Sequence, residues 1–95
     1  MKKAKEQMYK YKRILKHYGN EHQMLKAVEE MAELTAEILR YKNGRTDRKA
    51  ILEEMADTII MLTQLSMIMN IKDEEMESEI EKKLDRTIAR MIMEK

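Results

Sequence analysis

The chain has no proline and only two glycines, Gly19 and Gly44, in 95 residues, so almost nothing in it interrupts a helix. The stretches between the few breaks read with helical period. Ala4, Met8, Tyr11, Leu15 and Tyr18 recur at spacings of four and three, a one-sided stripe on a first helix. Gly19-Asn20 breaks it, and Asn20 with Gln23 three residues on predicts a capping box opening a second helix from about Glu21 to Tyr41. Asn43-Gly44 ends that helix, and Thr46 or Asp47 is placed to cap a third. The third is apolar nearly all round from Ile51 to Met69 and is expected to be the central, most buried element. Asn70 and Asp73 mark the last boundary, with Asp73 the expected cap, since Glu74 and Glu75 then sit at the positive end of the helix dipole. A fourth helix carries a narrow stripe of Met76, Ile80, Leu84, Ile88 and Met91. The expected fold is all-α, a single domain over residues 1–95 in a four-helix, bundle-like arrangement.

Within this pattern lies a near repeat. Val28-Glu29-Glu30-Met31-Ala32-Glu33 is matched at almost every position by Leu52-Glu53-Glu54-Met55-Ala56-Asp57, although the flanks differ. A solenoid needs three or more units alike throughout, so two facing helices that supply equivalent side chains to one site explain the repeat better. Glu30 and Glu33, and likewise Glu54 and Asp57, fall three apart and project from one face. Ala32 and Ala56, small residues beside the acids, are expected to let the helices approach.

Like charges at this spacing destabilise a helix by roughly 0.2–0.5 kcal/mol per pair, so something must offset them. Local bases do not do so for most of the set. Glu33 has Glu29, Glu30, Ala36 and Glu37 at its helical neighbour positions, and Glu54 has Ala50, Ile51, Asp57 and Thr58. Asp57, at the head of the apolar run, has Glu53, Glu54, Ile60 and Met61, and an uncompensated carboxylate buried there is costly. A hard divalent cation is the simplest compensation, because carboxylate oxygens suit Mg²⁺ or Mn²⁺. The fourth helix is an internal control. There Glu79 has Lys82 and Lys83 at helical spacing, as an ordinary solvated face does. For any single glutamate a solvated stripe is the default reading; the doublets, the shared spacing and the missing bases favour a metal site for the set.

Other chemistries fit less well. The only histidines, His17 and His22, have no glutamate three residues before them, which excludes the Glu-x-x-His ligand pairs of a di-iron bundle. Neither a Gly-rich phosphate loop nor H-E-x-x-H occurs, and the absence of cysteine excludes thiolate ligands and disulfides, in keeping with a reducing compartment. No apolar run approaches the ~20 residues of a membrane span, and no signal peptide is evident, so a cytoplasmic protein without membrane contact is expected. The formal charge is +1, which gives little case for nucleic-acid binding, although Lys2, Lys3, Lys5, Lys10, Lys12, Arg13 and Lys16 make the first helix basic.

The E-E-x-x-E motif at Glu29 to Glu33 followed by E-x-x-D at Glu54 to Asp57, on successive helices, resembles the all-α nucleoside triphosphate pyrophosphohydrolases of the MazG-like superfamily. The run from Tyr18 to Leu34 is similar to the segment those proteins place around their first motif, and the likeness extends over roughly residues 14 to 92. The resemblance implies Mg²⁺-dependent cleavage of a nucleoside triphosphate to the monophosphate and pyrophosphate. It implies that Glu30, Glu33, Glu54 and Asp57 hold the metal, with Glu29 as a further ligand or as the base that orients water. It also points to Lys83 and Arg86, in Lys82-Lys83-Leu84-Asp85-Arg86, as phosphate contacts, while Asp85 departs from the Asn expected of the family. Lys26 is a further phosphate candidate that is equally placed to pair with Glu29 and Glu30. A protomer this small is not expected to cover both its apolar third helix and a nucleotide, so a homodimer or a dimer of dimers is expected. Two rivals stay open: a non-catalytic helical interaction or regulatory module, and a relative specialised for phosphoribosyl-ATP or dUTP.

Overall fold

The computed structural model describes residues 4–94, with side chains from Glu6 to Glu94; Lys2, Lys3 and the side chains of Ala4 and Lys5 lie outside the described set. It contains four helices, α1 (Ala4–Tyr18), α2 (Asn20–Lys42), α3 (Arg48–Ile68) and α4 (Asp73–Met93), and no strand among the described residues. The boundaries fall within a residue or two of those the breaks predict.

The caps are less well predicted. Asn20 is the first residue of α2 rather than its cap. Gly19, at φ 88°, holds the capping position, and its carbonyl accepts the Gln23 backbone N–H at 3.1 Å. The Gln23 side chain therefore does not close a capping box; it turns inward. At α3 the expected cap forms, with the Asp47 carboxylate accepting the Ala50 N–H at 3.0 Å. At α4 Lys72 occupies the cap position and Asp73 enters the first turn, where it still complements the dipole with Glu74 and Glu75.

α2 and α3 form the packed pair of the fold, and α1 lies against both. The five-residue connection from Asn43 to Asp47 leaves them antiparallel. The register agrees: Gln23 meets Gln64 near one end, while Ile38 and Tyr41 share a groove with Ile51, Leu52 and Met55 near the other. The buried centre is small and mostly polar. Ala27 and Met61 are the buried apolar residues, alongside Gln23, Glu30, Thr58 and Gln64. Gln64, fully buried, donates to the Tyr11 carbonyl at 2.9 Å and accepts from Gln23 at 3.2 Å, so one amide ties all three helices together. Met8, Tyr11 and Leu15 turn the half-buried face of α1 inward, whereas Tyr18 stands exposed and stacks on His22.

Three packing expectations need correction. α3 is not buried all round: Leu52, Met55, Ile60 and Leu62 are exposed, as is Met69 just past its end, because no neighbour in the chain covers that side. Ala32 and Ala56 are exposed and do not line the helix contact; Ala27 is the small residue between the helices. Nor do the four helices close into a bundle within one chain. α4 packs along none of the others, and every side chain from Asp73 to Glu94 is exposed, the expected stripe included. The chain remains all-α, but as a three-helix body with a projecting fourth helix. No helix among the described residues is long and apolar enough to cross a membrane.

A candidate carboxylate metal centre

Glu30 and Glu33 come from the middle of α2 and Glu54 from the second turn of α3, and the antiparallel register brings them together. Carboxylate oxygens of the three lie within 4.8 Å of one another. Ligand oxygens around one octahedral Mg²⁺ are about 3–4 Å apart, so small side-chain rotations suffice to close the set on an ion.

Glu30 is the anchor. It is 7% exposed, and its Oε1 lies 3.5 Å from the Lys26 ammonium while its Oε2 is buried with no hydrogen-bond partner. Glu54 likewise keeps Oε2 buried and unpartnered. Its backbone carbonyl accepts the hydroxyl of the buried Thr58 at 2.8 Å, which fixes the turn that carries it. Two buried carboxylate oxygens without a hydrogen-bond partner are costly, and a cation is one group that would complete them. The electrostatics agree. Desolvation, then the charges of Glu33 and Asp57, raise the Glu30 carboxyl above its ordinary value despite Lys26. Glu54 is raised by desolvation, then by Glu33, Asp57, Glu30 and Glu37. Each acid is held where its neighbours oppose its charge.

The remaining predicted residues are distributed unequally. Asp57 is exposed rather than buried in the apolar run, and it lies outside the closest three, although its charge acts on both Glu30 and Glu54. Glu29 is exposed and pairs with Lys26 at 3.6 Å. Lys26 thus bridges Glu29 and Glu30, and these two charges raise its own proton affinity, Glu29 foremost. Lys83 and Arg86 sit on α4, away from the cluster; Lys83 reaches Glu79 at 3.9 Å, and Arg86 has no acid partner among the described residues.

One residue was missed. Glu37 is largely buried, pairs with Arg40 at 2.9 Å, and adds its charge to those acting on Glu54. The spacing of Glu30, Glu33 and Glu37 along one helix face was the available signal. Comparison with family models, with characterised proteins and with solved structures finds no match for this chain.

Proposed function

We propose that the chain is a divalent-metal-dependent nucleoside triphosphate pyrophosphohydrolase, yielding a nucleoside monophosphate and pyrophosphate. The observation that carries the reading is the pair of buried, unpartnered oxygens, Glu30 Oε2 and Glu54 Oε2, in a cluster with Glu33. Hard oxygen donors from two rigid helices suit Mg²⁺, with Mn²⁺ as a substitute, and Glu30, Glu33 and Glu54 would hold it. Asp57 stands beside them as a further donor or as a charge that strengthens the site. Bound there, the cation supplies charge neutralisation on the triphosphate and a more acidic water.

The chain's own groups do the rest. Glu29, on the solvent side of the cluster and held by Lys26, orients the attacking water and takes its proton. The water oxygen bonds to the α-phosphorus as the bond from that phosphorus to the α–β bridging oxygen breaks, and pyrophosphate leaves with the bridging oxygen. Lys26, between Glu29 and Glu30, balances the site and contacts phosphate. The resemblance of the two acidic motifs to the MazG-like pyrophosphohydrolases supports the same assignment.

The test is pyrophosphate release from a panel of canonical, deoxy and modified triphosphates, dUTP and phosphoribosyl-ATP included, with Mg²⁺, with Mn²⁺ and with chelator. Metal-dependent release is expected. Silence across the panel, with no metal-induced rise in melting temperature, favours the non-catalytic interaction module, for which the exposed apolar faces of α3 and α4 speak.

A further inference from the structure

We infer that the outward face of α1 binds single-stranded nucleic acid, with its cations on the phosphates and Tyr9 against an unpaired base. The inference is independent of the proposed reaction: it uses no residue of the carboxylate cluster and no metal.

The near-neutral total conceals a segregation of charge. By sequence, residues 2–16 carry seven Lys and Arg and one acid, Glu6, a net +6. The rest of the chain carries the other 12 Lys and Arg and 17 acids, a net −5. A polyanion therefore meets attraction at one helix and net repulsion from the remainder, which sets how it approaches.

The geometry puts these charges on one face. At about 100° per residue, Lys12, Lys16, Tyr9, Arg13, His17 and Lys10 follow one another within about 160° of the α1 circumference, and all six are exposed. Glu6 is the one acid of α1 on that arc. Met8, Tyr11 and Leu15 fall on the other side, half-buried and turned toward α2 and α3. Acids from neighbouring elements lie by that inner side or past the helix end: Asp73 and Glu77 share a cleft with Met8, Tyr11 and Thr63, and Glu21 opens α2 beyond Gly19.

No acid within the chain answers these cations. Among the described residues, Lys10, Lys12, Arg13 and Lys16 form no ion pair, whereas Lys26, Arg40, Lys82 and Lys83 each have one. Arg13 with Lys16, and Lys12 with Lys16, stand at helical spacing, where like charges repel. In the last turn Lys16 and His17 complement the helix dipole. Lys10, Lys12 and Arg13, in the middle of the helix, gain nothing from it.

Two features choose among polyanions. The apolar side of α1 is taken up by the fold and is not free to enter a bilayer. Tyr9 stands 61% exposed among the cations, one turn from Arg13, and a phenol ring and a guanidinium plane are the surfaces on which unpaired bases stack. A duplex hides its base faces and an acidic protein segment has none. The single strand is the occupant that uses both the charge and the ring.

The test is fluorescence anisotropy of a labelled oligothymidylate of about 20 nucleotides, with chelator, from about 50 mM salt upward. Binding is expected, with log K falling against log salt at a slope of about −3 for the four described cations, or about −5 if Lys2, Lys3 and Lys5 join them. Lys12→Gln/Arg13→Gln/Lys16→Gln should bind at least about tenfold more weakly, with the slope reduced by about 2. Lys42→Gln/Arg45→Gln/Lys49→Gln removes the same charge at the α2–α3 connection and should stay within about twofold of wild type. Tyr9→Leu should weaken binding about fivefold or more at unchanged slope. The substituted side chains are exposed, so the circular dichroism of each variant should match wild type. Absence of binding, binding that requires Mg²⁺, equal loss in the two triple variants, or no effect of Tyr9→Leu overturns the inference. So does a preference for a duplex of the same length, for poly-L-glutamate as competitor, or for phosphatidylserine vesicles. If the oligonucleotide binds while no triphosphate is turned over, the proposed reaction fails and this surface stands; turnover without oligonucleotide binding does the reverse.

Discussion

Glu30 concentrates the tension of this molecule in one side chain. It is buried beside two other acids, with one oxygen on Lys26 and the other on nothing. Replacing it by glutamine keeps the volume and removes the charge. Glu30→Gln should therefore melt higher than wild type without metal, and should lose the rise in melting temperature that Mg²⁺ is expected to give the wild type. A variant that still gains stability from Mg²⁺ shows that the ion binds elsewhere. Asp57→Asn should be milder. Asp57 is exposed and outside the closest three, so its loss should fold normally and weaken Mg²⁺ binding by about tenfold, the scale of a supporting group rather than the loss of an anchor.

The same residues set a pH dependence. Glu30 and Glu54 hold their protons more tightly folded than unfolded. Between the ordinary carboxylate pKa and their raised ones the folded chain binds more protons, so their contribution is fully favourable below that window and falls as pH rises through it. Without metal, the melting temperature of wild type minus that of Glu30→Gln/Glu54→Gln should decline on going from pH 4 to pH 7. Mg²⁺ binds the deprotonated form, so its stabilisation should grow over the same range. Thermal melts of both proteins across pH, with and without Mg²⁺, check both trends.

Among the elements, the helices were legible because four periodic runs and their breaks leave little choice. The meeting of the two acidic motifs was legible in part: the facing helices place Glu30, Glu33 and Glu54 together, while Asp57 stays outside the closest three. What the sequence hid was three-dimensional. Gln23 reads as a capping partner of Asn20, but its amide goes to Gln64 and the cap falls to Gly19. Asp57 reads as buried because its neighbours are apolar, yet the face it shares is open. Lys83 and Arg86 were placed with the acids by motif, and local periodicity carries no information about where α4 lies. Two substitutions test the elements. Asp47→Ala should cost about 1 kcal/mol through loss of the α3 cap, read as a lower denaturant midpoint. Gln64→Leu strands the Tyr11 carbonyl and the Gln23 amide, so it should cost about 1–3 kcal/mol and speed hydrogen exchange of α1 amides before those of α2. Uniform protection across the three helices would show that the amide does not tie α1 to the pair.

Taken whole, the chain joins a small, mostly polar interior to a long uncovered helix. In that interior Glu30 Oε2 and Glu54 Oε2 are buried without a hydrogen-bond partner. The helix carries an apolar stripe of Met76, Ile80, Leu84, Ile88 and Met91 that no other helix of the chain covers. Phosphoryl transfer asks a protein chiefly for placement and charge balance, and the proposed reaction assigns these to the carboxylates and Lys26. Phosphorus NMR of a mixed set of nucleoside triphosphates, incubated with the protein and Mg²⁺, tests the central claim most directly. The account predicts resonances of nucleoside monophosphate and pyrophosphate growing together, and their absence with Glu54→Gln. Unchanged triphosphates, or the appearance of diphosphate and orthophosphate instead, would contradict it.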